Sequence, residues 1–174
     1  MPKKPKILLV DTNPKYENRR EGKLIKEFLD ILKINAEHKR VKSKSHLLKI
    51  LEQANCPYIH ISAHGSKDGI ETSRGQVSVD DIVKLKQRRK GKRRVKFMFC
   101  SACQTGSTRL ADAFQESLCK KYLAPKRDAY WTEIALTSLI LYHALFHDKL
   151  TLNGAIRRAF EKFQARGDWY IYTE

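Results

Sequence analysis

The sequence holds no apolar run approaching the ~18–20 residues that a membrane-crossing helix needs, so a spanning helix is excluded by length. It also lacks the apolar stretch of a signal peptide. Met1-Pro2-Lys3-Lys4-Pro5-Lys6 is basic, but only Ile7 to Val10 follow before Asp11. The expectation is a cytoplasmic protein. Cysteine is scarce: Cys56, Cys100, Cys103 and Cys119 are the four in 174 residues. That is not the pattern of a disulfide scaffold in a chain long enough to bury a core, so reduced thiols are expected. No internal repeat is present. Acidic residues are outnumbered, 19 against 35 Lys and Arg, for a formal charge of +16. Such an excess suits an acidic partner, most simply nucleic acid or an anionic surface, but names no chemistry.

What is present is a core former. The hydrophobic share is 41 %, and a chain of this length corresponds to one domain, expected over residues 1–174. Ile7-Leu-Leu-Val10, Tyr58-Ile-His-Ile-Ser-Ala63 and Val95-Lys-Phe-Met-Phe-Cys100 read as buried strands. Glu37 to Val41 and Tyr122-Leu123 read as weaker ones, and Trp169-Tyr-Ile-Tyr172 as a closing strand. Ile70-Glu-Thr72 and Gln76-Val-Ser78 suggest a small hairpin.

Between the strands, apolar residues recur at helical spacing. One helix carries Leu24, Ile25, Phe28, Leu29, Ile31 and Leu32 on one apolar face. A second begins near Ser45, and a third starts at Ile82 with Asp80 or Asp81 as its cap. Leu110, Ala111, Phe114 and Leu118 mark a fourth. Ile134 to Phe146 is apolar nearly all round, predicting a buried helix, and Leu152 to Phe163 is a well-defined stripe. Strands alternating with helices predict an α/β protein, a mostly parallel sheet covered on both faces in a three-layer αβα sandwich.

In open sheets of this kind ligands bind beyond the carboxyl ends of the strands. Two strands end in reactive residues, His64-Gly65 and Cys103-Gln-Thr-Gly106. If these strands are neighbours, ~4.8 Å apart, an imidazole can take the thiol proton and leave a nucleophilic thiolate. The Gly65 and Cys103 amides are placed to hold an oxyanion. Gly106 suits a tight turn, and a helix starting near Thr108 turns its positive end toward Cys103.

These segments resemble the caspase-like (clan CD) cysteine peptidases. The nearest likeness is to the bacterial CHAT-type branch, whose second motif typically reads Ser-Ala-Cys-Glu-Thr-Gly. Here Ser101-Ala102-Cys103-Gln104-Thr105-Gly106 has Gln in place of the Glu. From His64 to Cys103 is 39 residues, against roughly 50 quoted for caspases. The likeness continues through Trp131, the apolar helix and the Leu152–Phe163 helix. It implies a caspase-hemoglobinase fold with about six strands, and cleavage of peptide bonds through an acyl-enzyme. His64 and Cys103 take the histidine and nucleophile roles, and no metal or organic cofactor is required.

The resemblance also bears on the substrate pocket. Arg19-Arg20-Glu21-Gly22 is similar to the caspase segment that places an arginine in the pocket, and Arg20 there suits an acidic side chain. Ser101 stands where caspases have Gln and metacaspases Asp, and Thr132, after Trp131, replaces a second arginine. Glu133 or Asp128 implies the opposite choice, Lys or Arg. The implied partners are a protein substrate and a regulatory protein or second copy of the chain.

Other signals have plainer readings. Cys100-Ser-Ala-Cys103 spells C-x-x-C, but Cys100 lies inside an apolar strand and no second such motif exists. His143-Ala-Leu-Phe-His147 has the spacing of zinc peptidases, yet Ala144 occupies the place of their Glu, so the pair reads as structural. Lys84 to Lys96 holds nine Lys or Arg in thirteen residues. It is read as a solvated helix-loop or as a docking segment for nucleic acid or another acidic partner, the alternative function being a basic binding module without turnover.

Overall fold

The computed structural model describes residues 5–13, 21–161 and 169–172, the last four as backbone. The elements run β1 Ile7–Asp11, α1 Glu21–Ile31, β2 Ala36–Arg40, α2 Lys44–Gln53 and β3 Tyr58–Ser62. Three short strands follow: β4 Gly65–Ser66, β5 Gly69–Thr72 and β6 Gly75–Ser78. Then come α3 Val79–Arg88, β7 Phe97–Cys100, α4 Thr108–Ser117, β8 Tyr122–Pro125, α5 Trp131–Phe146, α6 Leu152–Glu161 and β9 Trp169–Tyr172. Six strands form the main sheet in the order β2-β1-β3-β7-β8-β9, and β4 to β6 form a separate three-stranded sheet. The first five are parallel, and β9 pairs antiparallel to β8.

The expected α/β class and mostly parallel sheet are present. Alternation along the strands splits the core in two. Leu8, Val10, Ile59, Ile61, Met98 and Cys100 pack with α2, α3 and α4. Ile7, Leu9, Phe97 and Phe99 pack with α1, α5 and α6. Burial on both faces explains why β1 and β7 read as uninterrupted apolar runs rather than alternating ones. The chain leaves β1 first to one side and then to the other, so the sheet has its switch point between β1 and β3. The crevice beyond their carboxyl ends is where such sheets take ligands. Among the described residues no helix is long and apolar enough to cross a membrane.

Four details differ from expectation. First, α3 starts at Val79, not Ile82, and is capped by Ser78 rather than an aspartate. Ser78 Oγ accepts from the Asp81 amide at 3.4 Å while the Asp81 carboxylate accepts from the Ser78 amide at 2.9 Å, a reciprocal capping box. Second, α5 is not buried all round: Leu136 is 49 % exposed, although α1 and α6 pack against the helix. Third, Val95 stands outside β7 and makes a lone parallel bridge with Cys119. Fourth, Ile31, expected on the apolar face of α1, is 77 % exposed. Phe163, at the end of the expected last stripe, lies outside the described residues.

The basic run does structural work as well as facing water. Arg89 is 4 % exposed. Its Nη1 donates to the carbonyls of Leu51 (2.6 Å), Glu52 (2.9 Å) and Ala54 (3.1 Å), and its Nη2 to that of Arg93 (3.0 Å). It therefore closes the carboxyl end of α2, whose last carbonyls have no partner within the helix. Arg94 donates to Gln115 and Cys119 at the end of α4, and Lys92 to Glu52. Lys84, Lys86, Arg88, Lys90, Lys92, Arg93 and Lys96 are exposed.

Replacing Arg89 by Met keeps the apolar stem and removes all four of these bonds. The expected loss is about 2–3 kcal/mol in a urea titration, whereas Lys90→Ala should stay within about 0.5 kcal/mol of the parent. Equal effects at the two positions would show that Arg89 is not the helix lock.

Candidate active site

Strands β3 and β7 lie side by side with Ile61 opposite Cys100. His64 and Cys103 each come three residues later, so the in-register pair carries both to the same edge. Beyond β7 the chain turns sharply. The Thr105 amide and hydroxyl both donate to the Ala102 carbonyl, at 3.4 and 2.6 Å. Gln104 adopts φ +57°, a left-handed conformation that a side chain seldom takes. Its Nε2 donates to Asp128 at 3.0 Å and its amide to the Arg127 carbonyl at 3.2 Å. A glutamate here would instead face the Asp128 carboxylate, a physical reason for the Gln in this chain. Tyr122 Oη donates to the Thr105 carbonyl at 3.1 Å.

Gly106 lies in the expected tight turn before α4, and the left-handed residue of this loop is Gln104. Gly106 is needed for proximity. Its amide donates to the Pro125 carbonyl at 2.8 Å, and a Cβ there would stand 2.7 Å from the Ala124 carbonyl oxygen. Gly65 plays a similar part for the other loop. A Cβ on it would lie 2.6 Å from Thr105 Cγ2, 2.9 Å from Ala102 Cβ and 3.2 Å from the Cys103 carbonyl oxygen. The two loops are in direct contact, and only a residue without a side chain fits at that point.

Further bonds hold the His64 loop in place. The His64 carbonyl accepts from the Glu71 amide at 2.9 Å, and the Glu71 carbonyl accepts from Thr12 Oγ1 at 2.7 Å. That makes 64 and 71 a hydrogen-bonded pair of the antiparallel ladder. Gly65, opposite Ile70, falls on the alternate position, where the amide points away from the partner strand. Ser107 Oγ donates to the Lys67 carbonyl at 2.9 Å and accepts from the Leu110 amide at 3.4 Å, capping α4 beside the same edge.

The four thiols are not equivalent. Cys56, Cys100 and Cys119 are buried, and Cys103 is half-buried. Burial pushes the Cys56 thiol up to about 11 and the Cys100 thiol above its ordinary value. Cys103 Sγ lies 3.8 Å from the Ala129 carbonyl, in the loop leading to α5.

Beneath the edge is a buried carboxylate that sequence reasoning missed. Glu21, the first residue of α1, is 2 % exposed. Its Oε2 accepts from Ser62 (2.8 Å) and Ser101 (2.7 Å), and its Oε1 from Ser138 (3.0 Å). His60 Nε2 lies 3.3 Å from Oε1, and its Nδ1 is 2.8 Å from Tyr142 Oη. Burial alone would raise the Glu21 carboxyl. The His60 imidazole and the hydroxyls of Ser101 and Ser62 outweigh it and hold the group below the usual carboxylate range. Ser62 and Ser101 stand two residues before His64 and Cys103, so the carboxylate grips both strand ends.

The other expected residues are differently placed. Ser101 is turned into this network and is 4 % exposed. Trp131 opens α5 half-buried, its indole nitrogen enclosed with no hydrogen-bond partner among the described residues. Glu133 is exposed in the same turn, and Asp128 is exposed but engaged by Gln104. Arg20 lies outside the described residues.

Glu21→Gln turns one acceptor into a donor facing hydroxyls, and the expected cost is about 2–4 kcal/mol. A carboxyl held below its unfolded value stabilises fully above about pH 4.3, and the contribution fades as the pH falls further. The parent should therefore lose stability on acidification faster than Glu21→Gln, read from urea midpoints between pH 6 and 3 (the nominal range). Parallel curves would overturn the role assigned to the charge.

No family model matches the chain, and no curated protein matches it. Solved structures share its fold. Separase in the Saccharomyces cerevisiae separase–securin complex superposes with a TM-score of 0.67 at 16 % identity, over 97 % of this chain and 12 % of that one. Porphyromonas gingivalis RgpB, seen as pro- and mature domains, gives 0.71 at 14 %, over 97 % and 47 %. A secreted C11 cysteine protease from Bacteroides thetaiotaomicron, in complex with an irreversible peptide inhibitor, gives 0.54 at 10 %, over 96 % and 64 %. The chain spans less than two thirds of each of these proteins. It has the caspase-like α/β fold, a scaffold shared with cysteine proteases.

Proposed function

We propose that this chain is a cysteine endopeptidase in which Cys103 is the nucleophile and His64 the general base. The observation that carries the reading is the in-register pair β3–β7, which ends in these two residues with Gly65 packed on the Cys103 loop. That Cys103 is the least buried thiol supports it, as does the fold shared with a cysteine protease. The Ser-Ala-Cys-Gln-Thr-Gly run supports a place near the CHAT-type branch.

In this reading His64 takes the thiol proton, and the thiolate adds to the scissile carbonyl. The oxyanion is held by the amides of Gly65 and Cys103. Collapse breaks the C–N bond, His64 gives its proton to the leaving amine, and a thioester remains. Water then adds with His64 again as base, releasing the acid and restoring the thiol. The left-handed Gln104 and the clamp from Tyr122 and Pro125 keep the nucleophile loop from relaxing between steps. Glu21 acts behind both strands as a positioning residue.

The charge preference belongs to the pocket residues. Arg20 favours an acidic side chain before the cut, and Glu133 or Asp128 a basic one. Two structural neighbours are seen with securin or a pro-domain, which supports control by a regulatory protein. The exposed lysines and arginines of the basic run suit an acidic partner at the opposite edge of the sheet.

A positional peptide library run with the parent, Cys103→Ala and His64→Ala tests the reading and reads the charge preference. Both variants should fold and lose at least about 10³-fold in rate. A thiol-directed electrophile should label Cys103 before the other three cysteines. Cleavage that survives Cys103→Ala overturns the proposal.

A further inference from the structure

At the far end of α5 the helix closes on a turn that gathers three metal-ligating side chains. His143 and His147 stand one helical turn apart, their ring centroids 4.6 Å from each other. Next comes Asp148, whose amide donates to the His143 carbonyl at 3.2 Å, and Lys149, three residues past the end of α5, takes the left-handed φ of +56°. That turn folds Asp148 back over the last turn of the helix. Its Oδ2 lies 3.5 Å from His143 Nδ1. The ligand atoms of all three residues lie within 4.8 Å of one another, the group of this kind among the described residues.

We propose that His143, His147 and Asp148 bind a divalent transition-metal ion of the zinc class. Two imidazoles and one carboxylate are a donor set that suits zinc, with bonds of about 2.0–2.2 Å and a fourth position for water. Tetrahedral bonds of that length put ligand atoms about 3.3 Å apart. The His143–Asp148 pair already meets this, and a rotation of exposed His147 closes the remainder. The carboxyl end of α5 is the negative end of the helix dipole and favours positive charge. A cation already sits there: the Arg158 guanidinium, from α6, is bound to the same Asp148 oxygen. Arg158 thus competes with the metal for Asp148, and a bound ion would replace this α5–α6 tie by bonds within the end of α5 and its turn.

The sequence spacing alone lacked this third ligand, since His-x-x-x-His with Ala144 between offers two donors and no base. The role assigned is structural, not catalytic. It is independent of the Cys103–His64 reading, and working in a Cys103→Ala background removes any zinc held by that thiol.

Zinc chloride titrated into the full-length Cys103→Ala protein should bind one ion per chain by calorimetry and raise the thermal midpoint. His143→Ala, His147→Ala and Asp148→Asn should each weaken binding by about tenfold or more and abolish the thermal shift. Arg158→Ala, by removing the competitor, should tighten it. Absence of binding to the parent background overturns the proposal. So does an affinity unchanged in the three ligand variants, or one that Arg158→Ala leaves the same. Peptidase activity enters none of these readouts, so failure here leaves the Cys103 proposal standing, and the reverse.

Discussion

A carboxylate removed from water must be surrounded by donors or become neutral, and Glu21 satisfies that condition through four different elements. It begins α1, receives hydroxyls from β3, the end of β7 and α5, and faces an imidazole on β3. The amino end of α1 adds its own positive field. None of these groups is near Glu21 in sequence: Ser62 is 41 residues away, Ser101 80 and Ser138 117. The charge therefore acts as a registration device. Any slip of β3 against β7 would leave Ser62 or Ser101 short of its acceptor and expose a buried anion to an apolar core.

Registration matters because the candidate dyad is not held by direct side-chain packing alone. Its geometry is inherited from two strand ends and two short loops. Gly65 lets the loops touch, Gln104 accepts an uncommon backbone conformation, and Gly106 admits the end of β8. Each of these concessions costs conformational energy, and each is offset by fixed bonds to Glu71, Arg127 and Pro125. Strain accepted at one point and paid back by surrounding bonds is what a site needs if a thiol and an imidazole are to stay aligned.

The sheet was legible because apolar runs bounded by turns repeat with helical stripes between them, and both signals come from residues close in sequence. The strand-end pair was legible for the same reason: each half is a short motif. Other features depend on contacts between distant residues and escaped. His60 and Ser62 in Tyr58-Ile-His-Ile-Ser62 break an apolar strand, and that interruption was the available sign of a buried partner. It could not say that the partner was Glu21, which reads as an ordinary helix-first-turn acid. Ser101 looked like a pocket residue because position in a motif says nothing of which way a side chain turns. The Ser78 cap was missed because two aspartates follow it, and only the structure shows that one of them bonds back to the cap. Exposure along α5 depends on its packing partners, which its own composition cannot carry.

The basic run poses a different question, whether +16 of charge reaches the thiol at all. From Lys96 to Cys100 the chain advances four residues along β7, roughly 13 Å at about 3.3 Å per residue, before it turns. The screening length at physiological salt is about 8 Å, so Lys96 and the residues before it in the same segment are weakly felt at that end of the strand. Arg89, Arg94 and the exposed Lys92 are occupied with carbonyls at the ends of α2 and α4, and Lys86 lies 3.3 Å from Glu116. In the proposed peptidase, activation of the thiol falls to groups local to the carboxyl edge, His64 and the amino end of α4. The part of the charge carried by Arg89, Lys92 and Arg94 serves helix termini, and under that proposal the chemistry rests on an imidazole and a helix end.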